Sequence, residues 1–302
     1  MAICSRIAAP APGRSAADGE QERPVRVHAA LLVLLLALGT AACSGVARKD
    51  MFETYQSQMQ QRGFLRTEAD PPDVSYSNAR LIENFRRIAF YTYPNDERHV
   101  PKPLTKWRGP IRYAVLGTQA DSAQVDRLMH RLSGLTGLAI EQVGEAEANF
   151  VVLLLDEAEQ RLARRAFADA DSRAFFDGFV SAIFDCGAIS DWSNEDPEIT
   201  RALIYLHGDL SGLYRRLCFH EEISQSLGLF NDDPTVRPSI FNDDDEFALL
   251  TRHDEYLLRI LYDPRLRSGM TPDEAMPLVV RIVDELRPGG WTPPADIAGR
   301  RE

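Results

Sequence analysis

The stretch of sequence that decides the fold spans residues 218–232 and reads Cys-Phe-His-Glu-Glu-Ile-Ser-Gln-Ser-Leu-Gly-Leu-Phe-Asn-Asp. Upstream of its glycine, the apolar spacing predicts a helix over residues 210–227. Gly228 follows, and a glycine directly after a helical segment is the usual signal that the helix ends. The stretch therefore predicts a long helix that ends in a sharp turn.

The spacing of the polar residues is similar to that of metzincin-type zinc peptidases, His-Glu-x-x-His-x-x-Gly-x-x-His/Asp. With the glycine of that pattern on Gly228, the metal-ligand positions fall on Glu221, Gln225 and Asn231, and the general-base position on Glu222. Ligands four residues apart lie on one helix face, and the turn returns the third ligand to the same ion. All three histidines are absent. The resemblance therefore implies a metallopeptidase-like domain without the ligands of catalytic zinc.

A second register would begin at His220. It places Ser224 at the second ligand position and misplaces the glycine, so we reject it and expect His220 to pack or to face solvent. Acidic residues surround the expected cleft at Asp232, Asp233 and 243–246. Their oxygen atoms suit calcium, although the simpler interpretation is a solvated loop. We predict no cofactor, with calcium or zinc as the lesser alternative.

The sequence downstream of the helix strengthens the metzincin resemblance. Residues 238–241 read Pro-Ser-Ile-Phe and resemble the Ser-Ile-Met of the metzincin Met-turn, which forms an apolar floor below the metal. Phe241 stands where the methionine would be. Thr251 and Asp254 form a capping box that opens a further helix. The resemblance covers residues 109–263 and implies a metzincin-like fold.

Four segments carry a closer resemblance. They are residues 221–229 (Glu-Glu-x-x-Gln-x-Leu-Gly-Leu), 238–244 (Pro-Ser-Ile-Phe-Asn-Asp-Asp), 253–255 (His-Asp-Glu) and 261–266 (Leu-Tyr-Asp-Pro-Arg-Leu). In these segments the chain resembles domain-of-unknown-function family 2927, which is found among proteobacterial lipoproteins. The resemblance implies a fold and a location in the cell envelope, but no activity.

The rest of the chain alternates between predicted strands and helices. Residues 150–155 (Phe-Val-Val-Leu-Leu-Leu) are uniformly apolar, which is typical of a central buried strand. Ser77 is expected to cap a helix over residues 79–90, and the last helix is predicted over 272–286. The order predicts an α/β (α+β) fold, with a mixed twisted sheet, an active-site-type helix and a mostly helical C-terminal subdomain. Further strands are predicted at 111–116, 138–143, 187–189 and 202–206, and further helices at 122–132, 157–168, 172–184 and 251–262.

The amino terminus is typical of an exported protein. Arginines precede an apolar run over residues 29–38 that is too short to span a bilayer, and small residues then lead to Cys43. This region resembles a bacterial lipoprotein box and implies that Cys43 is lipidated, facing the periplasm at the outer membrane. The alternative is an ordinary signal peptide that leaves Cys43 a free thiol. We predict a signal peptide over 1–42, a lipid-anchor tether over 43–76, a metallopeptidase-like domain over 77–287 and a flexible tail over 288–302.

The net charge of the chain bears on one class of partner, nucleic acid. The formal net charge of −11 argues against nucleic acid as a partner, because proteins that bind nucleic acid neutralise its phosphates with basic residues.

The cysteine content predicts how the mature domain is cross-linked. Removal of the leader and lipidation of Cys43 leave Cys186 and Cys218. In an oxidising compartment these two cysteines predict one disulfide, and two buried thiols are the alternative.

Three functions fit these features. The leading one is a membrane-anchored lipoprotein whose domain is non-catalytic and binds a peptide or an envelope protein, because groove geometry depends on the sheet edge and not on the metal. The second is an active hydrolase that uses Glu222 as its base with an atypical metal or none. The third is a structural lipoprotein with nothing bound in the cleft.

Overall fold

A computed structural model describes residues 48–91, 101–117, 122–166, 173–174, 176–178, 180, 183, 185–242 and 244–290. The predicted signal peptide, Cys43 and the chain from residue 291 onward lie outside these residues. Within the described ranges, no helix is long and apolar enough to cross a membrane.

A mixed sheet forms the centre of the domain. The described strands are β1 (Lys106–Trp107), β2 (Ile111–Leu116), β3 (Ile140–Gln142), β4 (Phe150–Leu155), β5 (Cys186–Ser190), β6 (Glu198–Ile199) and β7 (Ala202–His207). Five of them form one sheet in the order β3-β2-β4-β7-β5, in which only the edge strand β5 is antiparallel to its neighbour. Strand β4 is the middle strand, as its apolar sequence predicted. Strands β1 and β6 pair separately in parallel.

Helices pack on both faces of this sheet and on one another. One face of β4 and β7, with Val152 and Ile204, packs into the main core, and Tyr205 on the opposite face packs with Ala163 of a helix. The C-terminal helices contact the helix that begins at Asn78. The helices are α1 (48–61), α2 (Asn78–Phe90), α3 (Ser122–Thr136), α4 (Glu157–Ala166), α5 (Gly212–Gln225), α6 (Arg252–Leu261) and α7 (Pro272–Leu286).

The α/β class, the mixed sheet and the helical C-terminal part are confirmed. Local signals fixed several boundaries closely: Ser77 caps α2 by accepting the Arg80 N–H, and α7 has the predicted bounds. The predicted helix over 172–184 lies largely outside the described residues, although those described between 173 and 180 are helical.

Residues 48–76 differ from the predicted tether. They form α1, which buries Phe52 and Met59, and then an extended segment in which the Leu65 N–H donates to the Asp245 carbonyl at 2.9 Å. Arg66 continues this contact by forming a parallel bridge with Phe247. The two buried residues of α1 are seven positions apart, so the helix presents one thin apolar stripe within an otherwise polar sequence. The average composition of residues 48–76 is therefore polar, like that of a linker, although the segment folds.

Candidate functional site

Helix α5 lies beside the edge strand β5 and is bonded to it. Cys218, in the middle of the helix, forms a disulfide with Cys186 at the start of β5, with a Cα–Cα distance of 5.9 Å. The structure thus contains the disulfide that the sequence predicted. A cross-link over 32 residues restricts the unfolded chain, which is worth about 3–4 kcal/mol for a loop of this length. It also fixes the edge strand next to the helix.

The end of α5 is held by two aromatic residues and one glycine. Carbonyl groups in the last turn of a helix lack helical partners. Here the Trp107 indole donates to the Ser226 carbonyl at 2.8 Å, and the Tyr262 hydroxyl donates to the Leu227 carbonyl at 2.9 Å. Gly228 then has a φ of +117°, and a Cβ at this position would lie 2.1 Å from the Thr105 carbonyl oxygen. The predicted sharp turn therefore depends on glycine.

The three template positions do not converge as one ligand set. The Gln225 amide nitrogen donates to the Asp232 carboxylate at 2.6 Å. The Asn231 amide nitrogen instead donates to the Arg87 carbonyl at 3.0 Å, which directs this side chain toward α2. The chain does return to the helix after Gly228, as the sequence analysis expected, but Asp232 is the residue that reaches Gln225.

Glu221 and Glu222 occupy the remaining template positions and differ from the other acidic residues around them. Glu222 is 9% exposed and Glu221 is partly exposed. Within the described ranges, neither carboxyl group accepts a hydrogen bond or forms an ion pair. No group of three or more His, Cys, Asp and Glu side chains in these ranges is arranged to hold a metal ion.

The electrostatics of the site favour protonated carboxyl groups. Burial raises the pKa of Glu222 to about 8, and the negative charges of Asp232 and Asp185 add to this effect. Burial also raises the pKa of Glu221 well above its usual value, followed by the charges of Asp232 and Glu222. Both shifts have the same cause: the ionised form loses water and meets only negative neighbours.

We expect Glu222→Gln to stabilise the protein increasingly as the pH rises. The folded state binds the Glu222 proton more tightly than the unfolded state, so folding stability falls between the unfolded pKa near 4.5 and the folded pKa near 8. Each pKa unit corresponds to about 1.4 kcal/mol. Urea unfolding of both proteins should give similar midpoints at pH 5 and a higher midpoint for the variant at pH 8.5. The exposed control Glu141→Gln should show no such trend, and a constant offset for Glu222→Gln would contradict the shift.

The turn over residues 238–241, which the resemblance predicted to be an apolar floor and which we call the floor, is held in place by Asp254. The Ser239 hydroxyl donates to one carboxylate oxygen of Asp254 at 2.5 Å, and the Ile240 N–H donates to the other at 3.2 Å. Phe241 is fully buried, and its carbonyl accepts the Asp233 N–H at 3.0 Å. The turn is therefore tied to the segment that follows Gly228, and Phe241 lies in the main hydrophobic core.

His220 packs against the loop that precedes α6. Its Nδ1 accepts the Leu250 N–H at 3.1 Å, and burial lowers the pKa of His220 to about 3, followed by the charges of Arg131 and Arg216. The imidazole is therefore neutral and hydrogen-bonded to this loop, which agrees with packing, one of the two alternatives that the sequence left open.

Comparison with models of known protein families gives one match. Residues 78–281, well over half of the chain, match the family described as protein of unknown function DUF2927. The chain is a DUF2927 protein. No curated protein matches it. The matched region begins at α2 and includes β5, α5, the turn at Gly228 and the floor.

The side of β5 that faces away from β7 is a further feature of this DUF2927 domain. The His207 N–H donates to the Asp185 carbonyl at 2.7 Å, and the Asp191 N–H donates to the Arg201 carbonyl at 3.2 Å. The backbone N–H and C=O groups of the odd-numbered residues in this strand therefore point toward β7. Because pairing alternates along an antiparallel strand, the backbone N–H and C=O groups of the even-numbered residues point away from β7. Among the described residues, no backbone group pairs with the outward groups of Ala188.

Two residues near the site carried no signal in the sequence. Asp185, directly before β5, accepts a short hydrogen bond from the Tyr214 hydroxyl of α5 and a 2.7 Å bond from the Cys186 N–H. Lys102 is 5% exposed, and its ammonium group lies 5.2 Å from the Trp192 ring and 5.0 Å from the Phe230 ring. Burial lowers the pKa of Lys102 to about 7. Both residues become recognisable only after distant segments pack together.

Proposed function

We propose that this DUF2927 protein is a cell-envelope lipoprotein, anchored through Cys43, whose metallopeptidase-like domain is non-catalytic and binds an extended peptide segment of an envelope protein. The arrangement of an edge strand beside a helix, a glycine turn and an apolar floor supports the likeness to a peptidase cleft. The side chains at the template positions support the loss of catalysis, because Gln225 and Asn231 are amides whose nitrogens bind other residues.

The observation that carries the proposal is the outer edge of β5, where no backbone group among the described residues pairs with Ala188. The Ala188 N–H and C=O point away from the sheet, and an extended peptide can add to such an edge as a further strand. Cys186 also faces outward, but its N–H already donates to the Asp185 carboxylate at 2.7 Å. The disulfide to α5 holds this strand in place. A pre-formed edge binds a peptide at a lower entropic cost than a mobile one.

We expect Ala188→Pro to weaken peptide binding without unfolding the domain. Proline removes the outward N–H while leaving the bonds of the neighbouring residues to β7 intact. The probe is a pool of random pentapeptides with fluorescein at the amino terminus and an amide at the carboxyl end. Fluorescence anisotropy with the purified full-length protein should show saturable binding, weakened roughly tenfold or more in the variant.

Gln142→Pro is the matched control, because Gln142 lies on β3 at the opposite edge of the sheet. This variant should bind the pool like the wild type. Equal binding by all three proteins would contradict recognition at β5, and absence of binding to the wild type would contradict the proposal altogether.

The hydrolase alternative requires a different ionisation state of Glu222. A general base must be ionised, whereas burial raises the pKa of Glu222 to about 8 and keeps it mainly protonated at neutral pH. Mass spectrometry of the same pool distinguishes the two functions. Cleavage by the wild type that is lost in Glu222→Gln would establish the hydrolase, and an intact pool after binding supports the non-catalytic domain.

A further inference from the structure

Glu222 differs from the other buried glutamates in the described part of the chain, which arginines neutralise. Three glutamates are buried in the described part of the chain: Glu222, Glu246 and Glu255. Glu246 binds Arg66 and Arg237, and Glu255 binds Arg131 and Arg252. Glu222 has no basic partner in the described ranges. Burial raises the pKa of Glu222 to about 8 and keeps this side chain mainly protonated, and a cation from outside the chain would favour its ionised form.

Acidic neighbours on several elements also favour a cation. Asp232 follows α5, Asp185 precedes β5, and Asp245 lies in the loop before α6; all three interact electrostatically with Glu221. Hydroxyl groups bind two of these aspartates: the Tyr214 hydroxyl of α5 donates to Asp185, and the Tyr55 hydroxyl of α1 donates to Asp245 at 2.5 Å. Glu221 and Glu222 also lie in the last turn of α5, where the helix dipole favours positive charge.

We propose that Glu221 and Glu222 bind a positively charged side chain, a lysine or an arginine, of the peptide that adds to β5. This inference rests on the proposed function and names the class of peptide that the site selects. Asp185 connects the two parts of the site, because it directly precedes the edge strand and its charge acts on both glutamates. A basic residue of a peptide on that edge therefore lies near the acidic pair.

The arrangement of the two carboxyl groups fits an organic cation better than a metal ion. Adjacent residues on a helix point about 100° apart, so the side chains of Glu221 and Glu222 diverge. A compact ion needs several oxygen atoms converging on one point, and no group of three or more His, Cys, Asp and Glu side chains among the described residues is arranged in this way. An ammonium or guanidinium group has donors that point in several directions and can meet separated acceptors.

The experiment compares pentapeptide pools that share random flanks and differ in the central residue, which is arginine, lysine, citrulline or leucine. Citrulline has the shape of arginine without its charge. All pools carry fluorescein at the amino terminus and an amide at the carboxyl end, so that no free terminus competes. Fluorescence anisotropy with the full-length protein should give arginine and lysine pools at least roughly tenfold tighter binding than citrulline.

The variant Glu221→Gln with Glu222→Gln should bind all four pools with similar affinity, while Glu141→Gln keeps the preference. Both glutamine replacements preserve side-chain shape and remove buried acids, so the double variant should fold. Calorimetry of the arginine pool in two buffers of different ionisation enthalpy should also show release of about one proton per peptide near pH 7, because the cation ionises the pair.

The outcomes separate this inference from the function on which it rests. Equal binding of arginine and citrulline pools, still sensitive to Ala188→Pro, would overturn the cationic site and leave peptide binding intact. A preference for arginine that persists in the double variant would also overturn it. Failure of every pool to bind would overturn both proposals.

Discussion

Replacing Gly228 with alanine is expected to destabilise the domain by about 3–5 kcal/mol, because two penalties add at this position. The residue has a φ of +117°, a conformation that side-chain-bearing residues rarely adopt. Its Cβ would also lie 2.1 Å from the Thr105 carbonyl oxygen and 3.3 Å from Leu261. The first contact is to backbone, which cannot move aside as a flexible side chain would. Urea unfolding, followed by circular dichroism, measures the loss.

Gly137→Ala separates the two penalties. Gly137 also has a positive φ, +73°, but nothing lies within 4 Å of the Cβ position. This variant should lose only about 1–2 kcal/mol. A similar loss in both variants would mean that the contact with Thr105 is relieved at little cost. Because Gly228 also returns Asp232 to α5, Gly228→Ala should weaken the preference for basic peptides more than Gly137→Ala does.

The sequence predicted the parts of this fold that depend on local signals. Ser77, Thr251 and Gly228 mark helix ends through their own backbone and side-chain chemistry, so their effects can be inferred from neighbouring residues alone. The central position of β4 followed from its uniform apolarity. These features involve few distant contacts, which is why periodicity and capping patterns were sufficient.

The candidate site was predictable only in part, because its geometry depends on contacts between distant segments. Spacing placed Asn231 as the third template residue, but the turn after Gly228 directs Asn231 to Arg87 and Asp232 to Gln225. The spacing of residues in the sequence does not show whether residue 231 or residue 232 returns to the helix after such a turn. Asp185 lies 36 and 37 residues before the glutamates whose pKa it raises, and only the packing of β5 on α5 brings it near them.

Replacing Asp254 with alanine is expected to cost about 4–5 kcal/mol, because one buried carboxylate serves two structures at once. Asp254 is fully buried and accepts hydrogen bonds from the Thr251 N–H at 2.8 Å and the Thr251 hydroxyl at 2.9 Å, which complete the cap of α6. It also accepts those from Ser239 and Ile240 that shape the floor. Each buried donor left without an acceptor costs about 1–3 kcal/mol.

Glu274→Ala provides the matched control, since the capping box of α7 has the same design without the second role. Glu274 accepts from the Thr271 N–H at 2.9 Å and from the Thr271 hydroxyl at 3.0 Å, at an exposed helix end. Its loss should lower the urea midpoint only slightly, because the cap lies at an exposed helix end. Equal losses in the two variants would show that Asp254 acts as a cap alone. A much larger loss for Asp254→Ala, together with increased quenching of a tryptophan placed at position 241, would identify the carboxylate as the support of the turn over residues 238–241.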